Sequence, residues 1–296
     1  MLKVFDPSRT ENKRERIIVY GAPGVGKSRF VLSLTKRFGN ILYYAADPNS
    51  KFLDSISPHK KNRIVVIDQQ EDDDISNFSE FCVHDWAAEE GVEMDGLPAW
   101  CKGKFPRIDT LVVDTYTWVM QQAIMQSANQ GLAGTKPHFR VGDVDKGGQA
   151  IPTWDDYLGT EGLSRGLIKD MFNIQRDMNI IFVCHEDVKQ IEGMPAAGGP
   201  SHPGRKMLVD MPAAFSTVIR LIKDNVVVPG EDASRNRVIV ITDNDGKFIA
   251  KRRTGDESGE VSVLSRVILN DDPVNFWELY DSIYASETVQ EEVVNG

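Results

Sequence analysis

Short apolar runs, separated by polar and glycine-rich stretches, recur along the chain, and segments with helical spacing alternate with them. The runs are too short for buried helices, and we interpret them as strands. They cover residues 16–20, 41–45, 64–67, 111–114 and 180–184. The helical segments cover residues 30–38, 75–90, 117–129 and 153–177, and a break in the last would fall near Gly159 or Gly162. This alternation predicts an α/β fold.

The pattern changes in the last third of the chain, where apolar strands follow one another without intervening helices. Predicted strands at 217–222 and 237–242 precede an Asp245-Gly246 hairpin turn and a third strand at 247–251. A final helix begins at Asp272-Pro273 and gives way to an acidic tail. We therefore expect antiparallel strands on the C-terminal side of the fold.

Three segments are predicted to be loops because they are rich in glycine, proline and polar residues. Residues 91–107 read as a surface loop, and residues 131–152 and 187–206 are long loops that carry cations. Loops of this length inside a compact domain are usually functional or disordered. The first of the two cationic loops is equally well explained as a mobile solvent loop.

The strongest motif follows the first strand. The residues Gly21-Ala22-Pro23-Gly24-Val25-Gly26-Lys27-Ser28 fit the P-loop pattern G-x-x-x-x-G-K-[ST] between a strand and a helix. Glycines let backbone N–H groups surround phosphate oxygens, and the helix N-terminus favours negative charge. Lys27 is expected to reach the β- and γ-phosphates, Ser28 to bind Mg²⁺, and Arg29 to complete the nucleotide-binding stretch.

Polar residues stand at the ends of three other predicted strands. Asp114 ends an apolar strand in the Walker B manner, where it could hold the water shell of a Mg²⁺ ion bound by Ser28. Asp47 follows the second strand, and its position alone favours a helix cap or turn former. His185 ends the strand at 180–184, where a γ-phosphate sensor would lie, although a structural histidine is as frequent there.

Composition and charge limit the classes of protein to which this site can belong. The formal net charge of −10 argues against a protein that coats duplex DNA through a broad basic face, but not against a local basic groove. The three cysteines form an odd number without CxxC spacing, which is typical of free thiols in a reducing compartment. No apolar run is long enough to span a membrane, and residues 1–15 lack a signal-peptide core. We expect a cytoplasmic protein.

The order of these motifs resembles the RecA-like ATPase core, and more closely the phage-encoded RecA-like nucleotide-binding proteins of single-strand annealing and recombination. The resemblance implies a mostly parallel central sheet with helices on both faces and antiparallel strands added at the C-terminal side. It divides the chain into a polar arm, a RecA-like ATPase domain, an extension with a helix and an acidic tail expected to be disordered, at residues 1–15, 16–255, 256–286 and 287–296.

The resemblance also implies roles for individual residues. Asp47 falls where the family has the carboxylate that orients the attacking water, and Glu186 is a second candidate for that role. His185 matches the family's γ-phosphate sensor. Lys251 and Arg253 match cations that enter the ATP site of a neighbouring subunit. The two cationic loops match DNA-binding loops, which makes their cations DNA-contact candidates: Arg140, Lys146, Lys189, Arg205 and Lys206.

Taken together, these features predict an ATP- and Mg²⁺-dependent ATPase, stimulated by single-stranded DNA, that supports phage recombination or strand annealing. The expected assembly is a homo-oligomeric ring or filament with shared ATP sites, acting with a single-strand-binding protein and without a membrane. A helicase-type DNA motor is one alternative. A nucleotide-dependent assembly factor that contacts replication proteins instead of DNA is another, and the acidic charge favours it.

Overall fold

The computed structural model describes most of the first 251 residues and two short stretches beyond them. The described residues are 14–33, 39–47, 63–69, 75–132, 145, 150–189, 197–204, 206–226, 235–242, 247–251, 266–269 and 276. Within them the strands are β1 (Arg16–Gly21), β2 (Ile41–Ala45), β3 (Ile64–Asp68), β4 (Thr110–Asp114), β5 (Asn179–Lys189), β6 (Ala197–Pro200), β7 (Thr217–Val226), β8 (Arg235–Ile241) and β9 (Arg266–Leu269).

These strands form one sheet in the order β3-β2-β4-β5-β1-β7-β8-β9, with β6 paired to the far end of β5. Pairing is parallel from β3 to β7 and antiparallel from β7 to β9. The predicted fold class, a mostly parallel sheet with antiparallel strands at the C-terminal side, is therefore confirmed. The strands β5 and β7 flank β1 on both sides, and they continue past its last residue, Gly21, to Lys189 and Val226.

Helices cover both faces of the sheet. The helices are α1 (Lys27–Leu32), α2 (Ile75–Val83), α3 (Tyr116–Leu132), α4 (Trp154–Ile174) and α5 (Met207–Ala214). Side chains of α2 to α5 pack on one face, where Tyr116, Met171 and Met211 join a large apolar cluster with the strands. The other face packs against Phe30 of α1 and Phe276, whose ring centroids lie 5.5 Å apart.

The prediction for residues 75–90 was wrong in its C-terminal half, because α2 ends at Val83 and turns follow. The indole N–H of Trp86 donates to the Phe81 carbonyl oxygen, and its ring packs 5.8 Å from that of Phe105. The predicted surface loop 91–107 also carries buried side chains, since Phe105 lies in the core and a 3₁₀ turn covers Ala99–Cys101. The α4 helix runs through its glycines without a break.

The loop predicted for residues 187–206 was also partly wrong. Strand β5 continues to Lys189 and pairs with β6, so that Glu186 lies opposite Pro200. Helix α5 was not predicted. Residues 247–251 form isolated bridges rather than a strand, with Phe248 opposite Gly198 and Lys251 opposite Val218.

Some predictions fall on residues outside the described part of the chain. They include the Asp245-Gly246 turn, most of the 131–152 loop and, apart from buried Phe276, the last helix. In the part of the chain that the structure describes, no helix has the length and apolar character needed to cross a membrane.

Candidate functional site

The glycine-rich loop after β1 has the conformation that its sequence requires. Gly21 pairs with Leu221 of β7, and a Cβ atom on Gly21 would lie 2.3 Å from the Leu221 carbonyl oxygen. Gly24 and Gly26 have φ angles of 72° and 99°, in the left-handed region that favours glycine. Val25 is buried against the α1 face of the sheet and anchors the loop. The exposed residues of the loop therefore surround its apolar anchor.

Lys27 begins α1 and lies almost entirely inside this loop. Only 6% of its surface is exposed, and its Nζ atom donates hydrogen bonds of 3.0 Å to the carbonyl oxygens of Gly21 and Ala22. Burial lowers the pKa of Lys27, while the nearby Asp114 carboxylate opposes the shift. The ammonium group is thus held at the loop by neutral carbonyl oxygens, which a phosphate oxygen can replace.

The Asp114 side chain lies beside Lys27, at the carboxyl end of β4. Burial raises its pKa, and hydrogen bonds from the Ser28 and Tyr43 hydroxyl groups, together with the charge of Lys27, oppose that shift. A carboxylate next to a serine hydroxyl is a set of hard oxygen ligands, which Mg²⁺ prefers. Ser28 and Asp114 therefore fit a magnesium ion at the loop.

Asp47 lies two residues beyond β2, next to the end of β4. The backbone N–H groups of Ala46 and Asp47 point to the Asp114 carbonyl oxygen, at 2.7 and 3.4 Å. The Asp47 carboxylate is close enough to raise the pKa values of both Lys27 and His185 by its charge, although burial dominates both shifts. The structure thus brings Asp47 to the same edge of the sheet as the phosphate loop.

His185 pairs with Gly21 across β5 and β1, so its imidazole lies at the level where the phosphate loop begins. Burial lowers its pKa, and the charge of Lys27 lowers it further. The imidazole is therefore neutral at pH 7 and can donate or accept a hydrogen bond.

Thr117 fixes the backbone around His185, and its role was not predicted from the sequence. Its Oγ1 atom accepts a 3.0 Å hydrogen bond from the His185 N–H group and donates a 3.0 Å hydrogen bond to the Ser201 carbonyl oxygen. The Ser201 N–H group donates in turn to the His185 carbonyl oxygen at 2.7 Å. Strand β4 has already ended opposite Val183, so Thr117 takes over where the sheet pairing stops.

Glu186 is engaged elsewhere, which weighs against its candidacy as the catalytic carboxylate. Both of its carboxylate oxygens accept hydrogen bonds from Arg220 of β7, at 2.7 and 3.3 Å. The Arg220 guanidinium also stacks 3.3 Å from the ring centroid of Phe248. These contacts tie β5 to β7 and leave Asp47 as the better placed carboxylate.

The structure does not bring Lys251 to the phosphate loop of its own chain. Lys251 lies opposite Val218, three residues before the partner of Gly21, and its Nζ atom donates to the Ala213 carbonyl oxygen at 3.3 Å. Its predicted role in a neighbouring site stays a prediction.

The DNA-contact candidates are only partly described. Lys206 is exposed at the start of α5, where its backbone N–H group donates to Glu161 Oε1 at 3.3 Å, and Lys189 is the last residue of β5. Arg140, Lys146 and Arg205 lie outside the described residues. Arg253, which is predicted to enter the ATP site of a neighbouring subunit, also lies outside them.

None of the three cysteines is a candidate residue of this site. Cys82, Cys101 and Cys184 are buried free thiols, as predicted, and burial raises the pKa of each. In the described part of the chain, no group of three or more His, Cys, Asp or Glu side chains could hold a metal ion. A magnesium ion at Ser28 and Asp114 would therefore complete its coordination with water and substrate oxygens.

Comparison with known proteins identifies the family. A sequence-family model with the description AAA domain matches residues 13–254, a range that contains the phosphate loop, Asp47, Asp114 and His185. No curated protein matches the chain.

Proposed function

The chain belongs to the AAA domain family and has a P-loop NTPase-type domain, and we propose that it is an ATP-binding, Mg²⁺-dependent ATPase. The observation that carries this proposal is the convergence of the phosphate loop, a buried lysine, a hydroxyl–carboxylate pair and a second carboxylate at one edge of the sheet. Each is a component that hydrolysis of a nucleoside triphosphate needs.

Binding is proposed to depend on the phosphate loop. Lys27 exchanges the carbonyl oxygens of Gly21 and Ala22 for phosphate oxygens. Its buried ammonium group thereby gains anionic hydrogen-bond acceptors in place of neutral ones. Ser28 and Asp114 would hold Mg²⁺, whose chemical contribution is to neutralise charge on the phosphate oxygens.

Hydrolysis is proposed to depend on the residues at the neighbouring strand ends. Asp47 orients the attacking water by accepting a hydrogen bond from it, and Lys27 stabilises the negative charge that spreads over the transferred phosphoryl group. His185 is neutral and donates a hydrogen bond to the terminal phosphate. Because Thr117 is hydrogen-bonded to both the His185 N–H group and the Ser201 carbonyl oxygen, the positions of Thr117 and Ser201 depend on whether the nucleotide is bound.

The finer part of the proposal is that the ATPase works as an oligomer on single-stranded DNA in phage recombination or strand annealing. Exposed Lys206 supports DNA binding. It follows Ser201 by a few residues, and Ser201 is hydrogen-bonded to His185, so a short stretch of chain connects Lys206 with the ATP site. Lys251 and Arg253 are proposed to enter the ATP site of the next subunit, which would give a ring or a filament. A single-strand-binding protein is the proposed partner on DNA.

An assembly factor that contacts proteins is a second candidate, and an exposed apolar surface favours it. At the start of α4, Trp154 is 67% exposed, and Ile151, Tyr157 and Leu158 are also exposed. Exposed aromatic and aliphatic side chains of this kind often mark a protein interface. The net charge of −10 also suits a protein partner better than DNA.

Steady-state ATP hydrolysis, measured with and without single-stranded DNA across a range of protein concentrations, tests both candidates. We expect turnover that needs Mg²⁺, rises with DNA and increases more steeply than linearly with protein concentration. The Lys27→Ala variant is the control and should be inactive. Turnover indifferent to DNA at every concentration would favour the assembly factor, and turnover unchanged in Lys27→Ala would refute the ATPase site.

A further inference from the structure

A second lysine contacts the phosphate loop from a different element. Lys223 lies on β7, two residues beyond Leu221, the partner of Gly21. Because side chains alternate along a strand, Lys223 projects to the same face as Leu221, on which Val25 of the loop is also packed. Its Nζ atom donates a 3.1 Å hydrogen bond to the carbonyl oxygen of Gly24.

The ammonium group of Lys223 is exposed. Among the residues that the structure describes, none places a carboxylate within ion-pair distance of it. Arg220, three residues earlier on β7, has Glu186 as its anionic partner. Lys223 therefore presents an unneutralised positive charge at the loop, held by a neutral oxygen that an anion can replace or share.

Two lysines thus hold consecutive parts of the loop. Lys27 binds the carbonyl oxygens of Gly21 and Ala22 from within, and Lys223 binds that of Gly24 from outside. Gly24 has a φ angle of 72° and closes the turn in which the Val25 N–H group donates to the Ala22 carbonyl oxygen at 3.3 Å. Fixing the Gly24 carbonyl group fixes the peptide plane that contains this N–H group, because the peptide bond is planar.

We infer that Lys223 is a second cation of the phosphate loop, which orients the loop through Gly24 and adds its charge to the field that attracts a nucleoside triphosphate. The inference rests on the proposed ATPase function and deepens it. Lys223 is a positioning residue in the same chain, unlike Lys251 and Arg253, whose proposed roles need a neighbouring subunit.

Equilibrium binding of a fluorescent ATP analogue and a fluorescent ADP analogue to the full-length protein, at several salt concentrations, tests this role. The variants are Lys223→Gln, which removes the charge, and Lys223→Arg, which keeps it. Lys169→Gln is the matched control, since Lys169 is an exposed lysine on α4, which packs against the opposite face of the sheet. Thermal unfolding checks that all four proteins are equally folded.

We expect Lys223→Gln to weaken ATP binding about fivefold at low salt, and ADP binding less, because the loss of one charge matters more for the more negative ligand. The dependence of ATP affinity on salt should become shallower in Lys223→Gln, since screening acts on the charge that was removed. Lys223→Arg should retain most of the affinity, and Lys169→Gln should match the wild-type protein.

Wild-type affinity and salt dependence in Lys223→Gln would overturn the inference, as would an equal loss in the Gln and Arg variants. Lys27→Ala, measured in parallel, separates this failure from that of the proposed function. If Lys27→Ala loses ATP while Lys223→Gln binds normally, the role of Lys223 alone is refuted. If Lys27→Ala binds ATP as well as the wild-type protein, the proposed ATPase site is refuted as well.

Discussion

Replacing Thr117 by valine tests whether one hydroxyl group holds β5 in place at His185. Valine has nearly the same shape as threonine and lacks the hydroxyl group, so the substitution leaves no large cavity in this buried position. It removes the acceptor of the His185 N–H group and the donor to the Ser201 carbonyl oxygen. Both backbone groups lie in a part-buried region, where water replaces a lost partner poorly.

The expected cost follows from these two backbone groups. Leaving one buried polar group without a partner costs roughly 1–3 kcal/mol, so two partly buried groups should cost about 3 kcal/mol together. Thr117→Ser is the matched control, because it keeps the hydroxyl group and loses one methyl group, at a cost of about 1 kcal/mol. The valine variant should therefore be about 2 kcal/mol less stable than the serine variant.

Urea unfolding monitored by tryptophan fluorescence measures this difference, with the free energy of unfolding taken from the midpoint and slope of each transition. ATP turnover measured on the same proteins should fall more in Thr117→Val than in Thr117→Ser, since the position of His185 depends on the hydroxyl group. If the two variants are equally stable, the hydroxyl group does not hold β5 at His185, and the path from His185 to Ser201 loses its support.

Three further predictions concern residues at the same edge of the sheet. Asp47→Asn should lower turnover about 100-fold with little change in ATP affinity, measured by phosphate release and nucleotide binding, because it removes the acceptor for the attacking water; an affinity loss of similar size would contradict that role. Burial and the charge of Lys27 lower the pKa of His185 in the folded protein, so below pH 6.5 the unfolded protein takes up a proton more readily and stability falls. His185→Gln should lessen this loss of stability, measured as melting temperature against pH. A pH dependence identical to wild type would refute this. Arg220→Gln should destabilise the protein by about 2 kcal/mol, since it leaves the Glu186 carboxylate without its cationic partner. Adding Glu186→Gln should restore part of the lost free energy of unfolding, measured in urea. Additive losses would show that the pair is not coupled.

The interior parallel strands β1, β2 and β4 could be predicted from the sequence because they are buried on both faces and therefore read as unbroken apolar runs. The P-loop could be located because its glycines and lysine have fixed spacing. The grouping of Asp47, Asp114 and His185 at one edge was also predictable, since parallel strands end on the same side of a sheet. The family implied by the resemblance is shown at the level of a P-loop NTPase-type domain.

The hairpin of β5 and β6 could not be predicted, because its glycines serve long-range packing instead of a loop. A Cβ atom on Gly198 would lie 2.2 Å from the Phe248 ring, so glycine is needed for close approach to a residue 50 positions away. Helix α5 was missed because Pro212 indicates a helix end, whereas here it occupies the last turn of a helix that ends at Ala214. For residues 197–200 composition indicated a loop, and packing with distant residues decided otherwise.

The supporting residues of the site were missed for a related reason. Thr117, Arg220 and Lys223 belong to no motif, and each acts on a residue at least 34 positions away in the chain. Arg220 and Lys223 depend on the pairing of β7 with β1, which places Arg220 beside Glu186 of β5 and Lys223 beside the phosphate loop. Sequence motifs therefore predicted the residues that would contact the nucleotide, whereas the residues that hold them depend on sheet order.

The contacts beyond His185 bear on which surface responds to the nucleotide. The His185 carbonyl oxygen accepts the Ser201 N–H group, and a few residues later Gly204 packs so closely on Glu161 that a Cβ atom would lie 2.1 Å from its Cγ atom. Glu161 in turn accepts the backbone N–H group of Lys206. A shift of His185 on nucleotide binding would therefore reach Lys206 through a short, tightly packed segment.

The apolar surface around Trp154 lies on α4, the helix that also carries Glu161. A ligand that binds at Lys206 should change its affinity with the nucleotide state, because hydrogen bonds and close packing join Lys206 to His185. Affinities for single-stranded DNA, measured with ATP, with ADP and without nucleotide, test this coupling. DNA affinity that is the same in all three states would contradict a DNA site at Lys206.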